Sequence, residues 1–174
     1  MLLLYLGDKV VKKIIKGCIV ILCMVIIFSF SMDNSSESTR KSEGVILEVT
    51  SFLGFDLTSQ QQQHIVELFF VPVRKAAHFF IYFVLGITLI SFLREFSIPI
   101  RKLILLSIFL AFLYACSDEV HQLFVAGRSG QVSDVLLDTI GASVGVGLYY
   151  LLFRKKLKEI DLSLIHISEP TRRS

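Results

Sequence analysis

The chain has 174 residues, 53% of them hydrophobic, a formal net charge of +3 and a mean hydropathy of +0.68. Soluble domains average about 45–50% apolar, and here the apolar residues come in long blocks, which points to a single integral membrane bundle. The small net charge, with no basic stripe interleaved with aromatics, excludes nucleic acid as the partner.

A membrane-spanning helix needs about 20 mainly apolar residues. Four segments supply them, at about 14–32, 76–93, 103–122 and 135–153. The predicted fold is all-α: a bundle of four transmembrane helices, with short amphipathic helices in the outer loop between the first two. The first span follows a basic flank (Lys9, Lys12, Lys13, Lys16). A signal peptide would share that flank, but the apolar run is longer than most leaders carry, so an uncleaved anchor is expected. Cys18, Cys23 and Cys116 fall in apolar runs without disulfide or metal-type spacing, and read as small buried filler.

In the loop after span one, Val45, Ile46, Val49, Phe52 and Leu53 recur at helical spacing. A second cluster, Ile65, Val66, Leu68, Phe69 and Phe70, precedes Pro72. Short amphipathic helices on the outer leaflet fit this pattern, and so does packing against the bundle.

Basic residues set the orientation. The N-terminal flank, the loop with Arg94, Arg101 and Lys102, and the flank with Arg154, Lys155, Lys156 and Lys158 share one side of a four-span topology. Both termini are therefore expected in the cytoplasm, across a plasma membrane. Arg74, Lys75 and Arg128 fall on the outer side, against the rule, which makes them candidates for a specific task. Residues 1–160 read as one domain. The tail 161–174 matches nothing else in the chain, and Leu162 to Arg172 resembles the translation of a sequencing adapter.

Depth gathers the polar residues. His78 lies 16 residues from Arg94, Glu119 17 from Lys102, and Asp138 16 from Arg154. At 1.5 Å per residue each stands about 24–26 Å above the inner interface, just inside the outer boundary of a hydrocarbon core of about 30 Å. Lys75, Gln122 and Asp134 stand a turn higher. Lys75, His78, Phe79 and Tyr82 share a helical face, Glu119 and Gln122 another, and Asp134, Asp138, Gly141 and Gly145 a third. Gly141 and Gly145 permit close helix approach. The three faces are expected to enclose an outward-facing polar pocket. Asp118 and His121 are expected to be solvated at the surface, and Tyr149 and Tyr150 to form an interfacial belt.

The patterns Lys75-x-x-His78-Phe79, Glu119-x-x-Gln122-x-Phe124, Gly127-Arg128 and Asp134-x-x-x-Asp138-x-x-Gly141 resemble those of VanZ-like membrane proteins, a family named for a protein linked to teicoplanin resistance. The resemblance covers about residues 74–145. Asp138 stands where many members carry Asn, and Ala126 where a Pro often precedes the Gly-Arg. The family implies an envelope or antibiotic-resistance context and supplies no mechanism.

The candidate ligand-binding residues are Lys75, His78, Glu119, Gln122, Arg128, Asp134 and Asp138. Lys75 and Arg128 suit a phosphate or carboxylate; ion pairs that hold the helices together are the structural alternative. His78 and Glu119 are candidates for general acid–base exchange, or for a polar helix–helix contact. His78, Glu119 and Asp138 are a candidate set for a divalent metal, but no His-x-x-x-His or Glu-x-x-His pair supports it, so neither metal nor cofactor is expected. Nothing polar continues below His78 in Phe79 to Gly86 except Tyr82, which argues against transport. The reading is a bacterial membrane protein, among membrane lipids, that binds an anionic, lipid-linked or cell-wall-related ligand and alters glycopeptide-type susceptibility. A membrane hydrolase or transferase acting on a phosphate-containing lipid, or a structural accessory of an envelope complex, is the alternative.

Overall fold

The computed structural model describes residues 2–32, 35–55, 57–127 and 130–168. They form five helices: α1 (Leu2–Ser31), α2 (Ser35–Phe52), α3 (Ser59–Leu93), α4 (Ile100–Gln122) and α5 (Val132–Ser168). A 3-10 turn, Arg94–Phe96, joins α3 to α4. Helices α1, α3, α4 and α5 are each long and apolar enough to cross a membrane, and the chain is an all-helical multi-pass membrane protein.

Exposure is inverted relative to a soluble protein. Ile21, Leu22, Leu105, Phe109, Ile140 and Leu151 are all exposed, as side chains that meet lipid should be. The interior stripe of α4 is small or polar instead: Ser107, Ala111, Ala115, Asp118 and Gln122 are buried at helical spacing. Small residues let helix backbones approach where lipid removes the usual hydrophobic drive for association. Two apolar clusters result. One joins Val20 and Ile27 of α1 to Tyr82, Leu85, Ala111, Ala115 and Ala142. The other joins Ile90, Leu93, Leu103, Val146 and Tyr149 near the α3–α4 turn.

That turn gathers the basic residues at one end of the bundle. Lys16 Nζ donates to Glu95 Oε1 at 2.5 Å and to the Ser91 carbonyl at 3.1 Å. Lys13 lies over the Phe96 ring. Arg94 Nη1 donates to the Tyr149 hydroxyl at 2.9 Å, so Tyr149 is a buried packing residue rather than part of an interfacial belt. Cys23 is half-buried against the apolar core and Cys116 is half-buried, but Cys18 is exposed and is not core filler; α1 touches the bundle along one narrow stripe and leaves Cys18 outside it.

The loop segments differ from expectation in one respect. The Val45–Leu53 region forms α2, which turns Ser38, Ser42 and Ile46 inward and leaves Val45, Val49 and Phe52 exposed. The Ile65–Phe70 cluster is not a separate helix: it belongs to α3, which runs unbroken through Pro72. Proline lacks an N–H and removes one intrahelical bond, which is tolerated in membrane helices. Thr58 starts α3 with a capping box, its backbone N–H donating to Gln61 Oε1 at 2.9 Å, and this favours one 35-residue helix. Helix α5 continues past residue 160 to Ser168.

Candidate functional site

At the end opposite the basic residues, α3 and α5 are held together by glycine. A side-chain carbon at Gly141 would overlap the Phe79 carbonyl, and one at Gly145 the Phe83 carbonyl. The two backbones therefore touch directly, one and two turns below Asp138. This contact brings the polar stripe of α3 against that of α5. Lys75 Nζ meets Asp134 Oδ1 at 2.6 Å, and His78 Nδ1 lies 4.0 Å from Asp138 Oδ2.

Helix α4 closes the third side. Gln122 Nε2 donates to Asp118 Oδ2 at 3.2 Å and reaches Ser31 Oγ of α1 at 3.5 Å. Glu119 Oε1 accepts the Gln131 backbone N–H at 2.5 Å, which ties α4 to the residue just before α5. Gly127 takes φ +74° in that connection, a conformation that glycine adopts without steric penalty.

Lys75, His78, Glu119, Gln122, Asp134 and Asp138 thus occupy one region of the bundle. Arg128 lies outside the described residues. The arrangement is a packed cluster: Asp138 is 2% exposed, Asp118 3%, Gln122 6% and Glu119 7%. Asp118 is therefore buried and not solvated. His121 is half-buried, its ring 4.5 Å from that of Phe28, because α4 packs on α1 as well as on α3 and α5. Both corrections have one cause: Ala111, Ala115, Asp118 and Gln122 form a stripe that counting from Glu119 alone passes over.

Among the described residues, three oxygens in this cluster are buried without a hydrogen-bond partner: Asp118 Oδ1, Asp138 Oδ1 and the Tyr82 hydroxyl. Sequence reasoning placed Tyr82 on the correct face but assigned its hydroxyl no role. A phenol on the inner face of a span, one turn below a histidine, was the available signal.

Open space lies on the other side of His78. A cleft of about 270 Å³ runs between α1, α2 and α3. Ile27, Phe30, Val45 and Val73 give it apolar walls, and Lys41, Arg74 and His78 line it with basic nitrogen groups. Lys41 Nζ stands 5.4 Å from the Phe30 ring centre. His78 borders both the cleft and the buried carboxylates.

A family model described as VanZ/LLP1 matches residues 17–154. The chain belongs to the VanZ/LLP1 family. The matched range starts within α1, ends within α5 and takes in the whole polar cluster and every residue that lines the cleft. No curated protein and no solved structure gives a significant match.

Proposed function

We propose that this VanZ/LLP1 protein sits in the plasma membrane with both termini cytoplasmic and binds the anionic headgroup of a lipid or lipid-linked envelope component. The observation that carries the reading is the cleft, with apolar walls on α1 and α2 and with Lys41, Arg74 and His78 beside them. Such a groove matches an amphiphile: acyl or prenyl chain against Ile27, Phe30 and Val45, phosphate or carboxylate against the cations. Arg suits bidentate contact with a phosphate. Among the described residues Arg74 makes no ion pair, so binding breaks no existing contact of its guanidinium. Lys75 and Asp134, together with Glu119 and Gln122, brace the three helices behind it. Arg128, on the α4–α5 connection, is the further basic group expected to contact the ligand. Occupancy of this site alters susceptibility to glycopeptide-type antibiotics.

Native mass spectrometry of the purified protein with phosphatidylglycerol and with phosphatidylcholine tests the binding step. A cation near a membrane anion contributes about 1 kcal/mol. Arg74→Gln should therefore weaken phosphatidylglycerol retention about fivefold and leave phosphatidylcholine unchanged. Equal retention of both lipids by the wild type would reject the reading. In cells, His78→Ala and Arg128→Ala should abolish any susceptibility change while the protein still accumulates.

A second reading is a hydrolase or transferase acting on a phosphate-containing lipid. It is favoured by His78, which touches the cleft on one side and lies near Asp138 on the other, as a proton-exchanging group must. Labelled envelope lipids that come back unchanged after incubation with active-folded protein would remove it.

A further inference from the structure

We propose that His78, Asp118 and Asp138 form a binding site for one divalent transition-metal ion of the Zn²⁺ or Mn²⁺ class. Each residue comes from a different helix, α3, α4 or α5, and offers one ligand atom; these three atoms lie within 4.8 Å of one another. Ligands around an ion at about 2.0–2.2 Å stand roughly 3–4.3 Å apart. The pair His78 Nδ1 and Asp138 Oδ2 already stands at 4.0 Å, so small side-chain rotations complete the set.

The unpartnered oxygens point to a cation independently of that spacing. Tyr82 is fully buried, and among the described residues its hydroxyl has no partner. Asp118 Oδ1 and Asp138 Oδ1 are also buried without partners among the described residues. Charged oxygens taken out of water need a paired cation or a metal. Among the described residues, Lys75 is engaged by Asp134 at 2.6 Å, and His78 stands 4.0 Å from Asp138, close enough to share an ion with it. One nitrogen and two carboxylate ligands suit zinc or manganese.

The set differs from His78, Glu119 and Asp138 in taking Asp118 as its ligand from α4. A bound ion would tie the ends of α3, α4 and α5 together. It would also put positive charge behind His78, at the inner end of the cleft.

The test uses the full chain, purified in uncharged detergent without a histidine tag and dialysed against Zn²⁺ or Mn²⁺. Elemental analysis should find one ion per chain. Excess metal should raise the melting temperature by about 5–10 °C, for a concentration near 100 times Kd, and EDTA should reverse the shift. Electron spin echo spectra of the Mn²⁺ form should show nitrogen coupling that disappears in His78→Gln. Asp118→Asn and Asp138→Asn should lose the ion, and Asp134→Asn should keep it. Arg74→Gln should keep the metal while retaining phosphatidylglycerol more weakly, which separates this proposal from the lipid reading. If the carboxylate variants do not fold, the wild-type stoichiometry and nitrogen coupling still decide. Wild-type protein that takes up neither ion and shows no thermal shift overturns the proposal and leaves protons to neutralise Asp118 and Asp138.

Discussion

Gly145→Ala tests whether the backbone contact between α3 and α5 organises the site. A methyl group at Gly145 falls well inside van der Waals distance of the Phe83 carbonyl oxygen and close to the Ile87 nitrogen. Both are backbone atoms, so no side-chain rotation relieves the overlap. The two helices must separate by on the order of 1 Å, and overpacking of this kind costs about 1–3 kcal/mol. For a chain of this size that corresponds to a drop of about 2–12 °C in melting temperature. Gly147 supplies the control, because nothing lies within 4 Å of a side-chain carbon placed there. Gly147→Ala should be neutral or slightly stabilising, since alanine is the better helix former. Circular dichroism of the two variants in the same detergent reads the difference. Indistinguishable melting curves would show that α3 and α5 do not touch at Gly145, and the placement of Asp134 and Asp138 against Lys75 and His78 would lose its basis.

Three other outcomes follow from named contacts. The Lys75–Asp134 pair is 35% and 19% exposed at its two side chains; a double-mutant cycle with Lys75→Met and Asp134→Asn should give a coupling of about 1 kcal/mol after solvent screening, and additive effects would contradict it. Tyr114 donates to the Met24 carbonyl at 2.6 Å and so fastens α4 to α1; Tyr114→Phe should lower stability by about 1 kcal/mol, and an unchanged melting temperature would contradict the bond. Lys16→Met removes the contacts to Glu95 and to the Ser91 carbonyl at the basic end; it should destabilise α1 packing while leaving phosphatidylglycerol retention intact, and loss of retention would contradict the separation of the two ends.

The spans were legible because hydrocarbon imposes a length and a composition that few other contexts do. The clustering was legible too: His78, Glu119 and Asp138 stand at similar distances from a basic residue at the far end of their own helix, and the structure sets them in one region. Which faces of a helix are buried was harder to read. Helix α4 has neighbours on more than one side, so Asp118 is as buried as Glu119, and the small residues Ala111 and Ala115 beneath it were the sign. Arg94 and Tyr149 illustrate a different limit, since a pair 55 positions apart has no local pattern. The cleft was not visible either. It depends on α2 turning Ser38 and Ser42 inward, and two serines in a polar stretch look like any solvated face. Pro72 suggested a break that α3 does not make.

The most direct test of the central claim is to place a photo-crosslinking residue at Val73, inside the cleft, and at Leu105, which is exposed on α4. Both positions meet lipid, but only Val73 stands beside Arg74 and His78. Labelling of Val73 by a radioactive phosphatidylglycerol should be suppressed by unlabelled phosphatidylglycerol, resist phosphatidylcholine, and fall in Arg74→Gln. Labelling of Leu105 should respond to both competitors alike. If the two positions behave identically, the cleft holds bulk lipid only and does not select an anionic headgroup.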